Sequence, residues 1–589
     1  MLRYFTVFLP TLSLAFLTAC APPSNETAGT GTAGTETNAA AVLTEVGDDL
    51  WNFMLEESVG LRLQEGLPVE SLTDLSHEHA AASAARMREM LERLDAGGTD
   101  GLSHAEEVLH ATLRWNLDSA VRLADHERLL TYITPYSFAF SELHTPLQKI
   151  PVTDAEGAAS YLALAKTYPG VVATLKSRLE GQLEAGIVVP APAMPPIIAM
   201  WKGFDAQPQS VFMALAGENL PEGFAEEMMT LIENEVRPAW QNMAAFLEGP
   251  YLAAAPEGVG LGQYPGGAEA YKALAEYHTS LSLTPEEIHR IGRERLETNN
   301  KRLAKIREEL GFTGTQQEFH AQLAKDPRFF VKTPEEVGER LMSHIRRLEP
   351  LVSDYFMTQP KAPYGVRRLL PQLEGSMTYG YYDSPRVDKP KGEYHFNGSK
   401  LDQRSLIGAA SLIFHELVPG HHFQIALQNE NETLPKWQQQ PAHTAFVEGW
   451  AEYSSMLAEE MGMYEDPYDL YGRLVFENFF ACRLISDTGM AVLGMTLEES
   501  RQLMRDNLLE SEVQIVTETL RYSTDLPGQA LAYGLGATKI HELREKARAE
   551  LGDKFDIRRF HDAVLGYGSI PLTVLEEHID WFIREESGS

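Results

Sequence analysis

RSLIGAASLIFHELVPGHHFQIALQ, residues 404–428, decides how the chain is read. Leu406, Ala410, Ile413 and Leu417 recur at helical spacing, so the stretch predicts a buried helix, amphipathic or apolar all round. Burying His415 and Glu416 in such a helix demands partners, because an isolated buried charge is costly. A bound cation is one such partner. The zinc-helix pattern H-E-x-x-H places two histidines at i and i+4 on one face, with the glutamate as base. Here position i+4 is Pro419, which cannot ligate and which removes a helical hydrogen bond. Gly420 permits further unwinding. His421 and His422 follow at i+6 and i+7. In a straight helix i+6 faces away and i+7 returns two turns on, whereas a kink at Pro419-Gly420 swings His421 back toward His415. These residues alone allow two readings: a metal pair with unusual spacing, or a kinked core helix with satisfied histidines.

A second stretch, AHTAFVEGWAEYSSMLAEEMG (442–462), favours the metal. Glu448 and Glu452 are four apart and share a helix face. Phe446, Val447, Trp450, Ala451 and Tyr453 around them predict burial. The chain between His421 and Glu448 is long enough for a loop and an antiparallel helix. A His/His/Glu set of His415, Glu448 and either His421 or His422 leaves a fourth tetrahedral position open, as a catalytic zinc site requires. Glu452 is then an acceptor that orients a ligating histidine through its other ring nitrogen. His443, five residues before Glu448, and His422 are candidates for the same supporting role.

HELVPGHHFQ, FVEGWAEY and PGQALAYGLG together resemble the DUF885 family of bacterial proteins. The resemblance runs over about residues 42–585 and includes GQYPGGAEAYKALAEYHTSLSLTPEEIHRIG (262–292), CRLISDTGM (482–490) and FHDAVLGYGSIPLTVLEEHI (560–579). It implies a mainly α, gluzincin-like metallopeptidase fold, one zinc ion held by His415, His421 and Glu448, and Glu416 as the base. The family often carries tyrosine where this chain has His422, which favours His421 as the ligand. Where the family commonly reads D-T-G-[IL]-H, this chain has Met490, so the resemblance does not carry over a role tied to that histidine.

The chemistry expected is hydrolysis of a peptide bond in short peptides. A tetrahedral oxyanion needs a further donor, and TETLRYSTDLPGQALAYGLG (517–536) offers Tyr522, ranked first, and Tyr533. Arg521 is positioned in sequence to hold a substrate carboxylate in a bidentate fork. Arg483 and Asp487, four apart, are expected to form a structural pair. Two other readings stay open: a binding lipoprotein that keeps the cleft without catalysis, and a zinc amidase for another amide such as a cell-wall fragment.

The 589 residues are 44% hydrophobic and 23% charged, enough for a large core. With 84 acidic against 50 basic residues the net charge is −34, which argues against nucleic acid or anionic lipid as partners. Residues 1–19 read as a signal peptide. Leu17-Thr18-Ala19-Cys20 resembles a bacterial lipobox, implying a lipid on Cys20 and a membrane anchor; Ala21 points to the outer membrane, facing the periplasm. Residues 20–40, rich in Gly, Thr, Ala and Ser, are a flexible tether. Residues 41–370 are expected to be a helical region walling the cleft, and 371–589 the metal-binding region.

Capping boxes at Thr284/Glu287, Thr333/Glu336 and Thr496/Glu499 mark helix starts. Strand signals are sparse. Tyr379, Tyr381 and Tyr382, then Tyr394 and Phe396, predict two short strands joined by a Pro-rich loop. This small sheet just before the decisive helix is expected to bind extended substrate through Tyr379 and Tyr381 by strand addition. The glycine-rich GVGLGQYPGG (258–267) lacks a preceding strand and a following GKS or GKT, so a nucleotide loop is not expected. The sequence leaves the oligomeric state open.

Overall fold

A computed structural model describes residues 38–134, 138–217, 219–371, 374, 380–385, 389–440 and 442–588. Cys20, the signal segment and most of the tether lie outside the described residues, as does Tyr379. The fold is mainly α, with one three-stranded sheet. Among the described residues no helix is long and apolar enough to cross a membrane.

All three capping boxes form, with the threonine accepting from the N3 backbone and the glutamate reaching back. Pro285 and Pro334 sit at the first helical position, where a missing N–H costs least. Two further boxes, Ser103/Glu106 and Thr315/Glu318, start other helices.

The elements that position the site are α1 (His104–Ala124), α2 (Gly267–Thr279), α3 (Pro285–Glu309), α4 (Ala409–Glu416), α5 (His421–Glu430), α6 (Thr444–Glu460), α7 (Pro467–Val492), α8 (Glu512–Leu520) and α9 (Leu531–Leu551). The main core joins α4, α5, α6 and α9 to the sheet through Ile413, Phe414, Phe423, Trp450, Tyr382, Tyr394 and Ile540. A separate apolar cluster around Tyr161, Trp201 and Trp240 holds the N-terminal helices together.

Helices α6 and α9 cross backbone to backbone. A Cβ on Gly449 would lie 2.5 Å from Gly536, and one on Gly536 would lie 2.0 Å from the Ala445 carbonyl oxygen. Only glycine allows this approach.

The sheet has order β1-β3-β2, with β1 Tyr364–Arg368, β2 Gly380–Asp383 and β3 Gly392–Phe396. β2 and β3 are the expected antiparallel pair, with Tyr382 opposite Tyr394. β1 was not expected from the sequence. It is short, follows Pro363, and pairs in parallel with β3 (Tyr364 opposite Gly392), a contact that no local pattern signals.

Candidate metal centre

The proline does more than kink the helix. α4 stops at Glu416, and Leu417 (φ −113°, ψ −96°) and Gly420 (φ −78°, ψ −129°) leave the helical region. The Val418–Pro419 peptide is cis. α5 then restarts at His421. Gly420 is required at this break, because a Cβ there would lie 1.9 Å from the His415 carbonyl oxygen. The Pro419 carbonyl, stripped of a helical partner, accepts from the Trp450 indole N–H at 2.9 Å and from the Ser454 hydroxyl at 3.1 Å. The break sets the His415 and His421 rings 4.7 Å apart at 88°.

α6 brings Glu448 to the same point. Its Oε2 lies 3.3 Å from His421 Nε2 and 3.6 Å from His415 Nε2. One atom from each of His415, His421 and Glu448 lies within 4.8 Å of the others, and all three residues are buried. His415 Nε2 and Glu448 Oε2 have no hydrogen-bond partner, a costly state for buried polar atoms. Two imidazoles and a carboxylate converging in this way could hold a single metal ion.

The electrostatics ask for positive charge at this point. Burial opposes protonation of His415, yet Glu448, Glu452 and Glu416 outweigh it and push its pKa up to about 9. Burial would raise Glu448, but His415 and His421 hold it well below the usual carboxylate range. Burial lowers His421 to about 4 and raises Glu416 to about 7.

Glu452, one turn after Glu448, has Oε2 3.7 Å from His415 Nδ1 and Oε1 3.1 Å from Arg473 of α7. It therefore faces the ring nitrogen of His415 that the triad does not use. Arg473 and Ser454 were missed in the sequence, and Trp450 was read there as buried but not as a partner of Pro419.

His422 is engaged at both nitrogens, Nδ1 with the Tyr382 hydroxyl at 2.9 Å and Nε2 with the Ala362 carbonyl at 3.1 Å. It joins α5 to the sheet and stands away from the triad. His443 precedes α6, with its ring edge-on to Trp115 at 5.1 Å. Tyr381 projects from the face of β2 opposite Tyr382 and stacks on His395 at 5.0 Å. The sheet is tied to α5 by the Tyr382–His422 bond; burial raises both Tyr382 and Tyr394, with Asp383 and Glu416 adding to the first and Glu416 to the second.

The two tyrosines differ. Tyr533 lies nearly parallel to His415 (12°, centroids 6.4 Å), and its buried hydroxyl makes no hydrogen bond of standard geometry. Burial first and Glu448 second push it up to about 12. The Tyr522 hydroxyl is held by Glu518 and by Arg483 Nε at 2.9 Å. Arg521 is buried and bonded to Glu518 and Gln529. The expected Arg483–Asp487 pair does not form. Asp487 accepts instead from the Tyr271 hydroxyl at 2.8 Å and the Gly528 N–H at 2.9 Å, while Arg483 pairs with Glu518 at 3.0 Å.

The fold is shared with solved structures. A protein from Colwellia psychrerythraea, described as a "putative lipoprotein", superposes with a TM-score of 0.83 at 24% identity, covering 93% of this chain and 99% of that one. A "putative lipoprotein of unknown function" from Shewanella oneidensis gives 0.71 at 19% identity, covering 92% and 99%. No curated protein matches the sequence. The family of bacterial proteins of unknown function DUF885 matches residues 57–579, and the chain belongs to that family.

Proposed function

We propose that the protein is a zinc-dependent peptidase for short peptides, of gluzincin type, anchored in the bacterial envelope by a lipid on Cys20. The observation that carries this reading is the convergence of His415, His421 and Glu448 with Glu416 on the adjoining turn. A zinc ion held by those three would supply a Lewis acid for the scissile carbonyl and lower the pKa of water.

The protein's own groups do the rest. Glu416, raised to about 7 by burial, takes the proton of the attacking water and returns it to the leaving amine. Tyr533, whose ring lies parallel to that of His415 and whose hydroxyl, unlike that of Tyr522, is not held by an ion pair, is the tyrosine assigned to donate to the developing oxyanion. Glu452, paired with Arg473, fixes the His415 ring. A binding-only role would leave Glu416 buried beside the triad without a task. A zinc amidase shares the same centre and differs only in substrate. The lipoprotein descriptions of the similar structures support the anchor and an envelope location, with the outer membrane favoured by Ala21.

The test is elemental mass spectrometry of the purified protein, followed by digestion of a short-peptide pool. About one zinc per chain and hydrolysis abolished by Glu416→Gln are expected. No zinc uptake from excess metal refutes the proposal.

A further inference from the structure

Beside Tyr533 lies a buried polar cluster in which two arginines share a single carboxylate in ion-pair contact. Arg483 of α7 and Arg521, the first residue of the turn Arg521–Asp525 after α8, are both buried. They share one carboxylate: Glu518 Oε2 lies 3.0 Å from Arg483 Nη2 and 3.4 Å from Arg521 Nη1. The Tyr522 hydroxyl donates to the same carboxylate. Arg521 Nη2 is taken by the Gln529 amide oxygen. Asp487 is committed to Tyr271 and Gly528, and among the described residues neither Asp487 nor Asp525 is in ion-pair contact with either arginine.

Two donors are left over. Arg521 Nε and Arg483 Nη1 are buried with no hydrogen-bond partner. Leaving two guanidinium N–H groups unmatched in the interior is costly, and a planar monoanion with two acceptor oxygens is what a guanidinium pair is shaped to receive. The cluster is also close to the metal centre. The Arg483 guanidinium carbon lies 4.5 Å from the Tyr533 ring centroid, and that ring is the one lying parallel to His415.

Resting on the peptidase reading above, we propose that Arg521 and Arg483 receive the free C-terminal carboxylate of the substrate, so that the enzyme acts as a carboxypeptidase on short peptides. The bond broken is the C–N bond of a peptide link near the C-terminus. Water's oxygen goes to the carbonyl carbon and its proton to the departing amine, and the released piece carries the recognised carboxylate.

The experiment uses the zinc-loaded protein and a pool of dansyl-capped, uncharged peptides of four to eight residues, each as free acid and as C-terminal amide. Equilibrium binding by fluorescence and cleavage by mass spectrometry are both read. The free acids are expected to bind at least tenfold more tightly and to lose residues from the C-terminus. Arg521→Gln, with zinc content verified, is expected to bring the acid-to-amide ratio below threefold, and Arg521→Lys to leave it in between. Equal binding of wild-type protein to acids and amides overturns the proposal without any variant having to fold. So does binding of amidated peptides with an internal aspartate as tightly as free acids, which would mark recognition of an acidic side chain. Tight, acid-selective binding with no cleavage would support the carboxylate site and refute the peptidase reading instead.

Discussion

The Trp450 indole N–H donates to the Pro419 carbonyl at 2.9 Å, tying the helix that carries Glu448 to the turn between His415 and His421. Trp450→Phe removes that donor and part of the buried ring, leaving the Pro419 carbonyl to the Ser454 hydroxyl alone. The variant is expected to lose about 1–3 kcal/mol of stability, from the lost hydrogen bond and the space left by the smaller ring. It should also bind zinc at least tenfold more weakly in competition with a chelator. Unchanged zinc affinity alongside lowered stability would reduce the contact to ordinary packing.

His421→Ala is expected to abolish stoichiometric zinc, whereas His422→Ala retains it and loosens the sheet from α5. The reason is that both nitrogens of His422 are already engaged, by Tyr382 and Ala362. Zinc content and urea unfolding of the two variants separate these roles.

Glu452→Gln replaces the carboxylate facing His415 Nδ1. A ten- to hundredfold loss of zinc affinity is expected, the common range for a group that orients a metal-bound histidine. Glu416→Gln is expected to keep the zinc and to lower kcat by roughly 10²–10⁴-fold. Loss of metal in Glu416→Gln would reassign that residue from base to ligand.

Gly536→Ala would put a Cβ 2.0 Å from the Ala445 carbonyl oxygen and push α9 off α6. Overpacking of this kind costs about 1–3 kcal/mol. Because α9 carries Tyr533 and α6 carries Glu448, hydrolysis should fall further than stability alone accounts for. A thermal melt run beside the peptide assay gives the comparison.

His144, beside Phe140 and Tyr168 of the N-terminal apolar cluster, lies between the Phe140 carbonyl and the Tyr168 hydroxyl and is pushed down to about 4 by burial. Its unfolded pKa near 6.5 is higher, so the unfolded chain binds the proton first. The stability from neutral His144 is therefore full above about pH 6.5 and is lost as pH falls toward 4, about 2 kcal/mol by pH 5. Urea midpoints at pH 7 and pH 5 should differ less in His144→Gln than in wild type.

What was legible in the sequence was local. Thr284, Thr333 and Thr496 cap their helices as read, because a capping box needs only four consecutive residues. The His415, His421 and Glu448 group, which could hold a metal ion, was legible as a pattern of residue types. Whether Pro419-Gly420 kinks or breaks the helix was not, because the answer depends on Trp450 and Ser454, thirty residues away. The strand at Tyr364 was missed for the same reason, since its partner β3 lies beyond a second strand. Arg483 and Asp487 have the spacing of a helical pair, but Glu518 and Tyr271 compete for them from other elements. Sequence spacing gives who can meet, and packing decides who does.

The stretch from Glu448 to Ser454 has almost no slack. Glu448 and Glu452 face the two histidines, Trp450 and Ser454 grip Pro419, Gly449 touches the neighbouring backbone, and Tyr453 bonds to His561 at 2.8 Å. Ala451, the remaining residue, is fully enclosed. A saturation library across the chain should find here its least editable seven residues, a fixed block that alterations elsewhere must work around.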